Sequence, residues 1–416
     1  MNFQVVKGMR DFLPEQAKKK QFIEDLCRRT FERYGFEPLQ SPIVEDFALL
    51  AAKGSGGEAI KEEIYYFRDK GERELGLRYD LTVPLARIAA SNPMLQKPFK
   101  RYCIGTVYRY DRPQAKRYRE FTQADFDIIG SRSVLADFEI LQVACDVMRA
   151  LGLEFKIKVN SRAIMEELAK KCGVAPGQVR DCFRSIDKLD KIGPKEVGKE
   201  LEAKGIDAKI LEEISVNSFE KVKEALGEIE CVKELEELLM LAKENGMKEV
   251  VFDLSLCRGL EYYTGSVFEA ALNEGPSVGG GGRYDKLVET YGGQPSPATG
   301  MSFGIDRLLD SLEKILIVGP TTQVFVAPLS REFSLEASRL ATKLRKFGIG
   351  VEFDVMERSV GKNLEYAKRR GIAFFIAIGE NETKGRRVKV KETGSGTEKE
   401  FGIDDCAGIA GLVKSG

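Results

Sequence analysis

Histidine and tryptophan are both absent from the 416 residues. Without histidine, every mechanism that needs an imidazole from the protein is excluded: Ser-His-Asp and Cys-His nucleophilic catalysis, and His-ligated zinc hydrolysis. Carboxylates, guanidinium and ammonium groups, tyrosines and bound metal remain for chemistry. The eight cysteines (Cys27, Cys103, Cys145, Cys172, Cys182, Cys231, Cys257, Cys406) form no Cys-x-x-Cys pair. That scatter fits reduced cytosolic thiols better than a disulfide or zinc framework. Net charge is missing as well, with 65 Lys+Arg against 65 Asp+Glu, so any nucleic-acid surface must be a local patch. Apolar runs such as Ile372 to Ile378 are too short to span a bilayer, and residues 1–15 lack the layout of a signal peptide. A cytoplasmic chain with no membrane segment is expected. A phosphate-binding P-loop is lacking too: Gly361-Lys362 is followed by Asn363 and has no glycine at the required distance upstream. If such a chain uses a nucleotide, arginines and metal must hold the phosphates.

What is present is globular: 43% apolar and 31% charged residues, enough for two to four domains at about 100–200 residues each. Pro14 in a first turn, Phe22, Leu26 and Phe31 at helical spacing, and Gly35 beyond the last turn predict an opening helix. Pro38 and Pro42 then impose an extended stretch. Residues 64–68, 75–79, 99–110 and 118–130 have strand-like spacing, with helices expected from Thr82 to Ala90 and from Val134 to Leu151. From Ser161 to Gly246 the chain turns rich in Lys, Glu, Leu and Ala, broken by Gly173, Gly193-Pro194, Gly205 and Gly227, which reads as a helical insert. Strand material resumes at Val250. After Gly319-Pro320 a βαβαβ order predicts a small, mostly parallel α/β domain.

Four stretches carry chemistry. Between Lys97 and Arg119 stand eight cationic residues and one anion, Asp111. Such a concentration in a neutral chain suits either a phosphate-bearing ligand or a solvated charged hairpin. The interleaved Tyr102, Tyr108, Tyr110, Tyr118 and Phe121 weigh toward the former. Arg258-Gly-Leu-Glu-Tyr262-Tyr263-Thr-Gly-Ser-Val-Phe-Glu269 suits a pocket for an anion and a polar ring, or an ordinary hairpin turning at Thr264-Gly265. Gly279-Gly-Gly-Gly-Arg-Tyr-Asp285 permits close approach of backbone to a ligand, although glycine runs are more often loops. Ala298-Thr-Gly-Met-Ser-Phe-Gly-Ile-Asp-Arg307 puts small residues on a strand ahead of a helix with an early arginine.

In this order the stretches resemble the histidyl-tRNA synthetase family of class II aminoacyl-tRNA synthetases, over nearly the whole chain. Lys7-Gly-Met-Arg-Asp-Phe-Leu-Pro14 is similar to the family's start. Gly35 to Glu45 resembles motif 1, the dimer-forming element, Phe99 to Asp127 resembles motif 2, and Ala298 to Leu308 resembles motif 3. The Arg258–Glu269 and Gly280–Asp285 stretches are similar to the family's own signatures. Tyr79-Asp80-Leu81 looks closer to the archaeal and eukaryotic branch.

The resemblance implies an α/β fold with an α+β catalytic core: an antiparallel sheet flanked by helices, in two parts (1–160 and 249–318), a helical insertion (161–248) and a C-terminal mixed α/β anticodon-binding domain (322–416). That last segment holds 17 basic and 13 acidic residues, a mild excess suited to RNA. The implied reaction joins L-histidine to tRNA(His) through histidyl-adenylate, using ATP and Mg2+, in a cytoplasmic homodimer. The resemblance gives Arg109 and Arg258 to catalysis, with no protein ligand set for a metal. Asp111, Arg117, Phe121 and Arg307 join Arg109 around ATP. Asp80, Thr82 and Gln123 would hold the α-amino group, Asp127 and Tyr263 the imidazole, and Tyr262 and the Gly279–Gly282 backbone the pocket wall. The alternative is a catalytically silent paralogue acting as a regulatory subunit in histidine biosynthesis.

Overall fold

The structure, a computed structural model, describes residues 3–52, 63–110, 118–257, 262–273, 275, 277–312 and 316–415. They fall into two compact units, residues 1–316 and 317–416.

In the first unit, α1 (Pro14–Arg33) opens with proline in its first turn, where the missing amide costs nothing. It buries Ile23, Leu26, Cys27, Thr30 and Phe31 along one stripe. Phe22, expected on that stripe, is 38% exposed, because the stripe runs one position later through Ile23. Next come β1 (Glu37–Pro38), β2 (Val44–Asp46), α2 (Phe47–Ala51), β3 (Tyr66–Arg68), β4 (Glu74–Leu77) and α3 (Thr82–Ser91). The long strands β5 (Phe99–Tyr108) and β6 (Glu120–Ile129) follow, then α4 (Val134–Ala150) and β7 (Phe155–Ser161). Six helices make up the insert: α5 (Arg162–Lys171), α6 (Val179–Ile186), α7 (Leu189–Ala203), α8 (Lys209–Val216), α9 (Phe219–Leu226) and α10 (Glu230–Glu244). The chain returns through β8 (Val250–Phe252), β9 (Ser266–Leu272), β10 (Ser277–Arg283), α11 (Leu287–Thr290), β11 (Ala298–Gly304) and α12 (Ile305–Leu312).

Eight strands form one sheet in the order β1-β5-β6-β11-β10-β9-β7-β8. Its inner pairs are antiparallel, and only the edge pairs β1/β5 and β7/β8 are parallel. Strands β2, β4 and β3 make a separate small antiparallel sheet. The core lies on one face of the large sheet: Phe126 of β6 stacks on Phe31 of α1 at 4.8 Å and on Phe303 of β11 at 5.9 Å. The insert packs into the same continuous core through Leu168, Phe183, Leu235 and Leu238.

The second unit has its own core. Here β12 (Val324–Pro328), α13 (Ser334–Arg345), β13 (Val351–Phe353), α14 (Val360–Arg369) and β14 (Phe374–Ile378) realise the βαβαβ order, with β12 parallel to both neighbours. The chain continues through α15 (Glu380–Gly385), β15 (Arg387–Glu392), β16 (Glu398–Gly402) and α16 (Cys406–Ser415). Strands β15 and β16 extend the sheet antiparallel, so it is mixed rather than mostly parallel. This hairpin escaped the sequence pattern because its strands are largely polar on the exposed face, with only Val388 and Val390 fully buried.

Candidate active site

Strand alternation builds the site. On β6, Ala124, Phe126 and Ile128 enter the core, so Phe121, Gln123, Asp125 and Asp127 share the opposite face. The register places Arg101, Cys103, Gly105 and Val107 of β5 opposite Asp127, Asp125, Gln123 and Phe121. On the other side Gly300, Ser302 and Gly304 of β11 stand opposite Asp127, Asp125 and Gln123, and Gly282 and Gly280 of β10 continue those rows. Five glycines (Gly105, Gly280, Gly282, Gly300 and Gly304) thus contribute no side chain of their own to this face. At Gly300 no side chain fits: a Cβ would lie 2.1 Å from Asp127 Oδ1 and 2.8 Å from the Phe126 carbonyl. The glycine run, for which a loop is the plainer of the two sequence readings, is a strand in the interior of the large sheet.

One end of this face is a buried polar cluster. Arg101 Nη2 lies 2.8 Å from Asp127 Oδ2, with both side chains almost sealed from solvent. It also donates to the Leu81 carbonyl at 3.2 Å. The Tyr284 hydroxyl donates to Asp127 Oδ1. The edge of Tyr262 meets Tyr284 at 6.2 Å between centroids, and the Tyr262 hydroxyl donates to that of Tyr263 at 2.9 Å. Asp125, fully enclosed, has its carboxyl pushed up by burial; Arg101 pulls it down, Asp127 and Asp80 push it further up, and a bond from Ser302 pulls it down. Gln123 Nε2 donates to Ser302 Oγ at 2.8 Å, while its Oε1 is buried without a hydrogen-bond partner. Asp80 is buried at the start of α3, where Oδ1 accepts from the Val83 amide at 2.9 Å, and Thr82 is the first residue of that helix.

The other end is cationic and aromatic. Arg109 leaves β5 with its amide bonded to the Arg119 carbonyl at 2.9 Å. Its Nε donates to the Tyr79 carbonyl at 3.0 Å, and its guanidinium lies 5.1 Å from the centre of Phe121. Arg307, in the first turn of α12, donates to the Ser277 carbonyl at 3.0 Å. It follows Gly304, the register partner of Gln123. Arg109 and Arg307 therefore approach the Phe121 end from the two strands that flank β6.

Of the residues singled out in the sequence, Arg109, Phe121, Gln123, Asp127, Asp80, Thr82, Tyr262, Tyr263 and Arg307 fall on or around this face. Asp111, Arg117 and Arg258 lie outside the described residues. Sequence reasoning gave no role to Asp125, Arg101 or Tyr284. The signal for Asp125 was there: it stands midway between Gln123 and Asp127 in the same period-2 row. Arg101 hid among eight cations, and only the register shows that it faces Asp127.

The family profile described as histidyl-tRNA synthetase matches residues 8–308, and one described as anticodon binding domain matches residues 323–409. The histidine–tRNA ligase of Aeropyrum pernix is 41% identical over 400 residues, covering 91% of each chain. Histidine–tRNA ligase 2 of Shouchella clausii is 37% identical over 417 residues, covering 96% of this chain and 98% of that one. Among solved structures, histidyl-tRNA synthetase from Nostoc sp. PCC 7120 superposes with a TM-score of 0.87 at 30% identity, covering 100% of this chain and 99% of that one. An archaeal and a bacterial relative are thus comparably similar, and the archaeal and eukaryotic branch suggested by Tyr79-Asp80-Leu81 is not singled out.

Proposed function

We propose how the site works from the premise that the chain belongs to the histidyl-tRNA synthetase family and is a histidine–tRNA ligase. It condenses histidine with ATP to histidyl-adenylate and pyrophosphate, then passes the histidyl group to the terminal ribose of its tRNA. The anticodon-binding match over residues 323–409 argues against the regulatory paralogue.

The observation that carries the residue assignment is the single row Phe121, Gln123, Asp125, Asp127, with a guanidinium at one end and a buried carboxylate at the other. Adenine lies against Phe121, with Arg307 on its other side. Arg109 bridges the α-phosphate and the histidine carboxylate. Adenylation needs no protein base, since the attacking carboxylate is already an anion; it needs alignment and neutralisation of charge as the α-phosphorus becomes five-coordinate. A histidine-free chain is therefore competent. In the transfer step a phosphate oxygen of the adenylate accepts the ribose proton. Arg258 at the α-phosphate, Arg117 at the terminal phosphates and Asp111 near ATP are carried by the resemblance alone.

At the other end Asp127, paired with Arg101, accepts the imidazole N–H, and Tyr263, held by Tyr262, meets the second ring nitrogen. Each carboxylate oxygen has two lone pairs, so its bonds to Arg101 and Tyr284 leave capacity for the ligand. A side chain without these nitrogens would leave buried polar groups unpaired, which is the basis of discrimination. Asp80, Thr82 and Gln123 hold the α-ammonium, with Gln123 Oε1 as one acceptor.

Among the described residues no three acidic, cysteine or histidine side chains form a ready cage for a metal. A Mg2+ arriving with ATP would be held by the triphosphate oxygens and water and would supply neutralising charge there. The chain acts in the cytoplasm as a homodimer through residues 35–45, in which Ile43 and Val44 are exposed and β1 is an edge strand of the large sheet. Among the described residues no helix is long and apolar enough to cross a membrane. The test is ATP–pyrophosphate exchange with each of the twenty amino acids in turn. Histidine alone should support it, and exchange driven equally by another amino acid would overturn the reading.

A further inference from the structure

The segment ahead of α1 is fastened to both elements that frame the proposed nucleotide end. Gly8, at φ 86, accepts from the Arg119 amide at 2.8 Å through its carbonyl, and Arg119 carbons lie 2.9 Å from where a Cβ would stand. Only glycine combines that left-handed conformation with that approach. Two residues on, the Arg10 guanidinium lies 3.8 Å from the Tyr118 ring centre and 4.6 Å from that of Phe12. Its Nη1 donates to the Tyr118 hydroxyl at 2.8 Å and to Asp310 Oδ1 at 3.0 Å, and its Nη2 to Asp306 Oδ1 at 3.0 Å. The Tyr118 hydroxyl donates in turn to Asp310 Oδ2 at 3.0 Å. Asp306 Oδ2 accepts from the Thr122 amide at 2.7 Å.

The neighbours of these anchors matter: Thr122 follows Phe121, and Asp306 precedes Arg307. We propose that Arg10 is a positioning residue for ATP: by clamping Tyr118 to Asp306 and Asp310 it fixes the gap between Phe121 and Arg307 into which adenine fits, without touching the nucleotide. This rests on the adenine reading given above. A planar fork suits the task, since one rigid group must bond two carboxylates and a phenol at once. The histidine end shares none of these bonds. Lys20, 3.9 Å from Asp306 Oδ2, remains as a second cation near Asp306 when Arg10 is replaced.

The experiment measures ATP–pyrophosphate exchange in the full chain for Arg10→Met, Arg10→Lys, Phe121→Ala and Arg307→Ala. Arg10→Met should raise the KM for ATP about tenfold and leave that for histidine within about twofold. Arg10→Lys should recover part of the loss, because an ammonium cannot span all three acceptors. An equal rise in both KM values, or none, overturns the proposal. If Phe121→Ala and Arg307→Ala leave the KM for ATP unchanged, the adenine reading fails and the clamp with it. If those two raise it and Arg10→Met does not, the clamp alone fails. Should Arg10→Met not fold, Asp310→Asn takes its place, expected to shift the KM for ATP in the same direction, and an unchanged value counts against the clamp.

Discussion

Arg101 and Asp127 face each other as register partners across β5 and β6, 2.8 Å apart, with side-chain exposures of 1% and 4%. An ion pair so deep costs solvation on both sides, and removing one partner strands the other. In the proposed reading the pair also has a purpose beyond stability, since Arg101 is the charge partner of the carboxylate that would accept from the imidazole.

Arg101→Met should therefore lower the unfolding free energy by about 3–5 kcal/mol in urea titrations. Adding Asp127→Asn to it should restore much of that loss, because neither member of the pair is then left as an unpaired buried charge. A single-variant cost below about 1 kcal/mol would show that removing Arg101 strands no buried charge.

Asp125 supplies a pH dependence. Its carboxyl is raised above its unfolded value by burial, with Arg101 opposing and Asp127 and Asp80 reinforcing the shift. The folded chain thus binds this proton more tightly than the unfolded one. The stability it contributes is complete below the unfolded pKa and is lost as pH climbs through the raised folded value. Between about pH 5 and pH 8, Asp125→Asn should gain stability relative to the parent chain, read as a widening difference in urea midpoints. A constant difference would mean that Asp125 titrates as an ordinary carboxylate.

Gly300→Ala should damage histidine recognition and strain the strand at the same time. The added carbon would meet Asp127 Oδ1 at 2.1 Å and Cγ at 2.5 Å, displacing the carboxylate and costing about 1–3 kcal/mol. The KM for histidine in pyrophosphate exchange should rise about tenfold while that for ATP holds. Unaltered histidine kinetics would take Asp127 out of the pocket.

Truncation after Leu316 divides the two steps. The units have separate hydrophobic cores, so residues 1–316 should keep pyrophosphate exchange while losing most of their rate of tRNA charging. Undiminished charging by the truncated chain would refute an anticodon role for the second unit.

Much of this was legible along the chain. The helix from Pro14, the strand that ends just before Arg109 and the one bearing Phe121, the insert beginning near Ser161 and the alternation after Val324 all show as local periodicity, and local periodicity reflects which face each residue buries. The polar hairpin β15–β16 did not show, since its strands owe their place to pairing with β14 rather than to an apolar pattern of their own. Phe22 and Ile23 were interchanged because adjacent apolar residues leave the phase of a helical stripe ambiguous by one position.

By itself the sequence determined that no imidazole or P-loop does the chemistry, that arginines and metal must hold the phosphates of any nucleotide, and, through the order of its motifs, which family the chain resembles. Only the tertiary structure decided that Arg101, one cation among eight, stands against Asp127, that Tyr284 completes that contact, and that Arg10 reaches Asp306 and Asp310. The reason is separation: these partners lie 26, 157, 296 and 300 positions apart. Sheet register and helix docking bring them together, and neither leaves a periodic trace in the chain.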